Sequence, residues 1–173
     1  MSTLDIRAAE QADRAELLAL YVRVVEDGGA FPISPPAADE DFERAWMRGK
    51  TAVLVAHTGE RLAGSYYLTP NYPGRAAHIA NAGYMVQPDL RGRGIGRALV
   101  EHSIEEAARH GFDALMFNLV FESNPARALY DELGFEIVGR VPAAVDGGER
   151  ARLLAACLTP FSRPARPYNP GSC

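Results

Sequence analysis

RGRGIGRA, residues 91–98, joins a strand-like run to a strongly helical run, 95–110. A glycine-rich turn that opens a helix points several unpaired backbone N–H groups, and the positive end of the helix dipole, at one place. The glycines let phosphate oxygens approach the backbone, and Arg91, Arg93 and Arg97 add positive charge beside them. The segment therefore predicts an anion site that suits a phosphate-bearing ligand.

The spacing of the glycines discriminates between phosphate-binding motifs. A Walker loop needs Lys and then Ser or Thr after its last glycine, whereas Arg97-Ala98 follows Gly96. A Rossmann fingerprint, G-x-G-x-x-G, fails because Arg97 or Leu99 stands where its last glycine is required. The remaining pattern, R-x-x-G-x-G over 91–96, resembles the coenzyme A pyrophosphate loop of the GCN5-related N-acetyltransferases (GNATs). A glycine turn with solvated arginines would produce the same hexapeptide.

Composition limits the classes of protein to which this loop can belong. With 47% hydrophobic residues among 173, residues 1–158 are expected to form a single domain, followed by an irregular, proline-rich tail, 159–173. The net charge of −4 argues against a general nucleic-acid binder. No apolar run approaches the ~18 residues of a membrane span, and the N-terminus lacks the pattern of a secretory signal. A cytoplasmic protein without membrane contact is expected.

The hydrophobic pattern predicts seven strands and four helices. The strands are expected over 3–8, 51–57, 62–68, 78–86, 114–121, 135–141 and 150–158, and the helices after residue 13, over 41–48, over 95–110 and over 124–133. Asp13, with Glu16 three residues later, is the expected cap of the first helix. Asn124 is the expected cap of the last helix, with Pro125 at its first position.

A second signature follows the fifth predicted strand. NPARALYDELGF, residues 124–135, is similar to the N…A…LY…GF segment of the GNAT family, and the element order is that of the family too. The chain is identified on these residues as a member of that family. The resemblance implies an α/β (α+β) fold, with a mixed, mostly antiparallel sheet of about seven strands flanked by about four helices. It also implies that the sheet splays between its fourth and fifth strands.

The same resemblance implies acetyl-CoA as cosubstrate. Its pantetheine arm would lie in the splay as a short added strand, and its pyrophosphate would rest on the amides of the glycine-rich loop. The residues expected to contact it are Met85, Val86, Arg91, Gly92, Arg93, Gly94, Ile95, Gly96, Arg97, Asn124 and Tyr130.

Tyr130 matches the family tyrosine that commonly points toward the coenzyme sulfur, so the resemblance implies a role as the acid that meets the departing thiolate. The alternative is a structural tyrosine on a buried helix face, beside Leu129 and Leu133. The spacing from Asn124 to Tyr130 is one residue shorter than in most relatives. Either the helix begins later or Tyr130 is displaced.

A narrower resemblance concerns the acceptor. Similarity to the fungal N-acetyltransferases that act on azetidine-2-carboxylate and related proline-like imino acids lies in NYPGR (71–75), HIANAGY (78–84), FNLVFESN (117–124) and GRVP (139–142). In that subfamily the residues matching Asn81 and Asn118 line the acceptor site. The resemblance implies that Asn81 holds the acceptor carboxylate and that Asn118 binds the acceptor near its nitrogen. The subfamily tends to carry Trp where this chain has Tyr130.

The asparagines differ in how well a structural role alone explains them. Asn is disfavoured in the middle of a strand and needs hydrogen-bond partners if buried, which singles out Asn81 and Asn118. Strand alternation places Asn81 on the same face as Gly83, whose missing side chain would leave room for a ligand. Asn124 is fully explained as a helix cap.

Other groups are candidates for binding the acceptor or removing its proton. Phe31, in the Gly- and Pro-rich stretch 27–36, is a candidate lid residue, and Arg75 a candidate partner for the acceptor carboxylate. A linker and a solvated arginine are the alternatives. An amide cannot take up a proton at neutral pH, which leaves a water relay, His78 or Glu122 as the base. No metal is expected, because no partner at ligand spacing accompanies His57, His102 or His110.

The function expected from the resemblance is transfer of an acetyl group from acetyl-CoA to the nitrogen of a small amine or imino acid, by direct attack in a ternary complex. Tyr130 and Asn118 are the expected catalytic residues, and Asn81, Asn118, Phe31 and Arg75 the expected acceptor contacts. Acetylation of an aminoglycoside, a polyamine or a protein N-terminus is one alternative. A non-catalytic acyl-CoA-binding module is another. Relatives are often dimers, so a homodimer is an alternative to a monomer.

Overall fold

The computed structural model describes residues 4–28, 31–145 and 150–158. Within these ranges the strands are β1 (Leu4–Ala8), β2 (Ala52–Thr58), β3 (Arg61–Pro70), β4 (Ile79–Val86), β5 (Ala114–Phe121), β6 (Glu136–Val141) and β7 (Ala151–Cys157). The helices are α1 (Arg14–Asp27), α2 (Asp39–Phe42), α3 (Ile95–Arg109) and α4 (Arg127–Glu132), and a π turn over Glu43–Met47 continues α2. Short 3-10 turns occupy Gln11–Asp13, Gly74–Ala76 and Pro88–Leu90. This element order is the predicted one.

The described strands form one mixed sheet of seven, in the order β1-β2-β3-β4-β5-β7-β6. Neighbouring strands are antiparallel except β4 and β5, which run parallel because α3 returns the chain between them. The parallel pairing joins only Ile79 with Ala114, Ala80 with Leu115, and Asn81 with Met116. β3 stays paired with β4 as far as Val86, so the sheet opens on the β5 side of β4. The predicted splay between the fourth and fifth strands is confirmed.

Apolar side chains cover both faces of the sheet. On one face, α3 turns Ile95, Leu99, Val100, Ser103 and Ala107 inward, at the three- and four-residue spacing of an amphipathic helix. α4 packs on the same face, where its apolar residues join that core. On the other face, α1 and the turn after α2 supply a second core, whose largest buried side chains are Tyr21, Phe42 and Trp46. The opening between β4 and β5 lies between these two layers.

The expected cap of the first helix is wrong. Asp13 is buried, and its carboxylate accepts hydrogen bonds from the Glu10 N–H at 2.7 Å and from the Arg7 guanidinium at 2.7 and 2.8 Å. Asp13 therefore closes the 3-10 turn that precedes α1 and ties it to β1. Glu16 has no part in this cap. The Asp13 carboxylate binds Arg7 on β1 instead of an amide of α1. The spacing of residues along one helix does not reveal such a partner.

The last helix begins later than predicted. Asn124 Oδ1 accepts the N–H of Ala126 at 2.9 Å and closes a turn before α4, which starts at Arg127. Asn124 thus caps a turn, and Pro125 is not the first helical residue. Asn favours such local turns because its side chain imitates a backbone carbonyl.

The predicted proline-rich tail, 159–173, lies outside the described residues. In the described ranges, no helix combines the length and apolar character needed to cross a bilayer. The same ranges contain no group of three or more His, Cys, Asp or Glu side chains placed to hold a metal ion.

Candidate functional site

The opening between β4 and β5 is a cavity of about 250 Å³. It begins where Asn81 and Met116 form the last pair between the two strands. It brings together the predicted site residues Phe31, Asn81, Asn118, Asn124 and Tyr130. Its wall is completed by Pro32, Tyr67, Ala82, Gly83, Tyr84, Phe117, Leu119 and Val120. Residues far apart in sequence therefore meet at one place.

Three asparagine side chains form a hydrogen-bonded cluster where the strands part. Asn71 Oδ1 accepts from Asn81 Nδ2 at 3.0 Å and from Asn118 Nδ2 at 2.7 Å. Asn71 follows β3, and its own N–H donates to the Ile79 carbonyl at 2.7 Å. Sequence reasoning missed Asn71. Asn71 is the first residue of the NYPGR segment, which resembles the imino-acid enzymes but does not by itself indicate where the Asn71 side chain lies.

Tyr130 lies in the cavity wall despite its short spacing from Asn124, and the helix that carries it, α4, begins at Arg127. Its ring packs 4.8 Å from that of Phe117 and 5.8 Å from that of Phe135, between ring centroids. Burial raises the pKa of Tyr130 to about 12. The phenol therefore keeps its proton at neutral pH, and no described residue is its hydrogen-bond partner.

The space expected beside Gly83 is occupied, which corrects the prediction. A Cβ on Gly83 would stand 2.6 Å from Cε1 of Tyr67, the residue directly opposite on β3. Tyr67 in turn packs edge-on against Trp46, with centroids 4.9 Å apart. The absent side chain of Gly83 admits a protein aromatic ring, and this ring becomes part of the cavity wall. Tyr67 was not identified from the sequence, because the β3–β4 register cannot be read from either strand alone.

The two polar atoms of the Asn124 side chain differ in their partners. Its Oδ1 is bonded to the Ala126 N–H, whereas its Nδ2 has no partner among the described residues. Since Asn124 lines the cavity, Nδ2 is available as a donor at that wall.

The glycine-rich loop has the geometry of an anion site. Gly92 and Gly94 adopt φ of 77° and 81°, in the left-handed region, and Gly94 directly precedes α3. The first amide of the helix to find a backbone acceptor is that of Ala98, which donates to the Gly94 carbonyl at 3.0 Å. The amides of residues 92–97 have no backbone acceptor among the described residues. They are free to bind an anion.

The arginines of the loop contribute less free charge than predicted. Arg91 pairs with Asp27 at 2.6 Å, and Arg97 pairs with Glu132 and, at 3.6 Å, with Glu101. Arg93 has no ion pair with a described residue. Two of the three positive charges are therefore balanced by carboxylates, and the backbone amides are the main feature that remains for an anion.

Three predicted candidates lie outside the cavity. His78 is exposed before β4, and its Nδ1 donates to the Arg75 carbonyl at 3.1 Å. Arg75 is exposed on the same turn and does not line the cavity. Glu122 is held by Arg152 at 2.8 and 3.1 Å and by Arg127 at 3.1 Å. The hydrogen bonds from Arg152 lower the pKa of Glu122, which makes its carboxylate a poor base.

A larger open depression of about 520 Å³ is lined by Glu122, Arg140, Arg150 and Arg152. Its walls are charged side chains only, and none of the predicted acceptor contacts faces it. The cavity between β4 and β5 is therefore the candidate site.

Comparison with known proteins identifies the family. The model of the acetyltransferase (GNAT) family matches residues 11–135, which run from the turn before α1 to the end of the NPARALYDELGF segment. The chain belongs to the acetyltransferase (GNAT) family. Both signatures found in the sequence lie within the matched residues.

Individual relatives agree with the GNAT assignment. N-acetyltransferase aca1 of Schizosaccharomyces pombe is 43% identical over 137 residues, 69% of this chain and 66% of that protein, so the chain spans about two thirds of its length. L-amino acid N-acyltransferase MnaT of Escherichia coli is 26% identical over 145 residues, 80% of this chain and 83% of that protein. The structure of a GCN5-related N-acetyltransferase from Kribbella flavida is similar with a TM-score of 0.81 and 36% identity, covering 89% of this chain and 97% of that one.

One solved structure of this fold, yncA from Salmonella typhimurium, holds its cofactor acetyl-CoA, and the residues present in this chain fit that molecule. The amides of 92–97 lack acceptors, and a Cβ on Gly96 would have no closer neighbour than Val86 Cγ2 at 3.9 Å, which leaves the loop open to phosphate oxygens. Beyond Asn81, the edge of β4 that faces the cavity has no β5 partner. An extended amide-containing arm can bond to such an edge.

Proposed function

We propose that this chain transfers an acetyl group from acetyl-CoA to the nitrogen of a small, proline-like imino acid such as azetidine-2-carboxylate, by direct attack in a ternary complex. The observation that carries the proposal is the convergence of Asn81 and Asn118 in one cavity, joined through Asn71. All three belong to the segments that resemble the fungal imino-acid enzymes. The name of the relative MnaT, an L-amino acid N-acyltransferase, also supports an amino-acid acceptor.

The cosubstrate would be held mainly by backbone groups. The amides of 92–97 would bind its pyrophosphate, the open edge of β4 near Met85 and Val86 would bind the pantetheine arm, and Asn124 Nδ2 would donate to that arm. When bound, acetyl-CoA supplies a thioester, an acyl group activated toward amines. The chain's own residues then have to orient the acceptor and handle its proton.

The acceptor would be oriented by amides. Asn118 offers its Oδ1 to an N–H of the acceptor, and Asn81 offers the second proton of its Nδ2 to the carboxylate, since the first is bonded to Asn71. Phe31 and Tyr67 give the cavity an apolar wall that suits a compact ring. The volume of about 250 Å³ suits a small acceptor.

The proton on the acceptor nitrogen would leave through water. The titratable residues that line the cavity are Tyr67, Tyr84 and Tyr130, and burial raises the pKa of each. They keep their protons at neutral pH and cannot act as bases there. An alkyl amine with a pKa of about 10.4 is mostly protonated under these conditions. Enzyme turnover would therefore depend on the small deprotonated fraction of the acceptor.

Tyr130 would act as a hydrogen-bond donor. Its phenol, with a pKa of about 12, is a weaker acid than a thiol, whose pKa is about 8.5. A hydrogen bond to a thiolate sulfur is therefore favoured over complete transfer of the proton. Tyr130 would then stabilise developing negative charge.

The proposal is tested by measuring the free thiol released from acetyl-CoA in the presence of different acceptors. Azetidine-2-carboxylate and hydroxyproline are compared with a polyamine, an aminoglycoside and a peptide that has a free N-terminus. We expect turnover with the imino acids, and its loss in Asn118→Ala with acetyl-CoA affinity retained in calorimetry. Asn118 is exposed, so this substitution should not perturb folding. Turnover on primary amines alone would contradict the acceptor class. Tight acetyl-CoA binding without turnover on any acceptor would indicate a binding module.

A further inference from the structure

We propose that Asn71 is a positioning residue, which holds Asn81 and Asn118 in the orientation that the acceptor requires. The inference deepens the proposed acetyl-transfer function and rests on it. Asn71 itself is not needed as a contact of the acceptor, because it does not line the cavity.

The carbonyl oxygen of Asn71 is a shared acceptor for amides on two different strands. Asn81 lies on β4 and Asn118 on β5, and both donate to Asn71 Oδ1, at 3.0 and 2.7 Å. An amide oxygen has two lone pairs, so it can accept both bonds at once. The strands stop pairing at Asn81, which means that Asn71 bridges them where the backbone ladder ends.

The orientation of the Asn71 amide is determined by its surroundings. Its Nδ2 donates to Met116 Sδ at 3.4 Å, and its backbone N–H donates to the Ile79 carbonyl at 2.7 Å. If the amide were turned over, its NH2 group would face two other NH2 groups. Only one orientation therefore satisfies all the partners, and Asn71 is anchored before any ligand binds.

Asn118 depends most on this anchor. Its side chain is exposed on a bulge of β5, where the register with β7 shifts between Phe117 and Val120, so packing does not determine its rotamer. The described side-chain contact that orients its amide is the bond to Asn71. With Nδ2 committed in this way, Oδ1 lies on the opposite side of Cγ and is left to accept from a ligand N–H.

The resulting polarity matches one class of acceptor. Asn118 presents a carbonyl oxygen, and Asn81 retains one N–H and a carbonyl oxygen. A cyclic secondary amine with an adjacent carboxylate offers the complementary groups, an N–H and an anionic oxygen. Without Asn71, either amide could turn over and present the same polarity as its ligand.

Two substitutions of similar size separate orientation from space filling. Asn71→Asp keeps an acceptor oxygen for both amides, whereas Asn71→Leu removes it. We expect Asn71→Leu to lower kcat/KM for the acceptor by about tenfold to a hundredfold, the usual range for losing one or two hydrogen bonds, with KM for acetyl-CoA unchanged. Asn71→Asp keeps an oxygen for both amides but loses the bond to Met116 Sδ and adds a negative charge near the acceptor carboxylate, so it should recover only part of this loss while staying clearly more active than Asn71→Leu. Tyr72→Phe is the matched control in the same loop, since it removes only a contact of 3.8 Å to Met116 Sδ.

Equal losses in the Leu and Asp variants, or a rise in acetyl-CoA KM of the same size, would show that Asn71 has only a structural role. Side-chain amide resonances of Asn81 and Asn118, measured by NMR without acceptor, provide an independent readout. Both should move to the positions of amides without a hydrogen-bond partner in Asn71→Leu, and both should remain hydrogen-bonded in Asn71→Asp. Unchanged resonances in Asn71→Leu would overturn the inference. If the unsubstituted protein turned over no acceptor, the proposed function would fail, and these spectra would still decide the role of Asn71.

Discussion

Replacing Gly83 with Ala probes the contact between β4 and the aromatic wall of the cavity. The new Cβ would lie 2.6 Å from Cε1, 3.1 Å from Cζ and 3.2 Å from Oη of Tyr67. Carbon atoms in contact normally stand about 3.5–4.0 Å apart, so the ring must move by about 1 Å. The ring is confined by Trp46, at 4.9 Å between centroids, and by Lys50 Nζ, at 4.5 Å from its centroid. The clash therefore cannot be relieved by a free rotation.

Overpacking of this kind costs about 1–3 kcal/mol in the free energy of unfolding. For a chain of this length the expected fall in Tm is about 2–12 °C. The displaced Tyr67 ring has the cavity beside it, so KM for the acceptor should rise as well. The backbone at Gly83 adds no strain of its own, because its φ is not in the left-handed region.

Differential scanning calorimetry on a double-mutant cycle measures the effect. Tyr67→Leu removes the atoms that clash, so Gly83→Ala should cost at least about 1 kcal/mol less in that background. Gly139→Ala is the control, since its Cβ would meet nothing closer than Leu153 Cδ1 at 3.4 Å. A cost below about 0.5 kcal/mol for Gly83→Ala, or the same cost with and without Tyr67, would refute the packing argument.

Four further outcomes follow from the described geometry. Tyr130→Phe should lower kcat by about tenfold to a hundredfold, the range for losing a hydrogen bond to a charged group, with little change in Tm, because no described residue is bonded to its hydroxyl; full activity in steady-state kinetics would remove it from the reaction. Gly94→Ala should weaken acetyl-CoA binding in calorimetry, whereas Gly111→Ala, at a similar φ of 80° but after α3, should reduce only Tm; equal affinities would contradict the anion site. Asp13→Asn should destabilise the protein by about 1–2 kcal/mol at pH 7. The bond from Arg7 lowers the pKa of Asp13, so its stabilisation is present above the ordinary carboxyl pKa and is lost as pH falls through the folded value; Tm values of the two proteins should converge in acid, and a constant difference would count against the pairing. Finally, log kcat/KM for the acceptor should rise with a slope near one from pH 6 to 9, as expected when deprotonation of an alkyl amine of pKa ~10.4 limits the rate; a plateau beginning near pH 7 would reveal a protein base.

Glycine turns and hydrophobic periodicity predicted most of the fold, because each of them reflects a physical requirement of the local backbone. The glycines of 91–98 require a turn before a helix, and β4 and β5 follow the hydrophobic pattern on either side of it. Asn81 and Asn118 were recognisable because a strand rarely tolerates an amide without a partner. In the structure, both asparagines line the same cavity.

What sequence did not reveal depends on register and on distant partners. Tyr67 faces Gly83 only because β3 and β4 pair in one particular register, which the connection between them sets. Asn71 lies in that connection, where no periodic pattern predicts the direction of a side chain. Arg91 was predicted as a phosphate ligand, yet its partner Asp27 lies at the end of α1, far away in sequence. Each of these outcomes is decided by tertiary structure.

The short parallel pairing of β4 with β5 makes the sheet mechanically uneven. Strands β1 to β4 form one continuous ladder and β5, β7 and β6 another, and the seam between the ladders consists of three residue pairs. A cosubstrate arm that bonds along the open edge of β4 would lengthen this seam. Bound acetyl-CoA would then oppose separation of the two ladders. At an acetyl-CoA concentration a hundredfold above Kd, binding would add about 2.7 kcal/mol to the free energy of unfolding. Thermal resistance of this domain would accordingly follow the acetyl-CoA level around it.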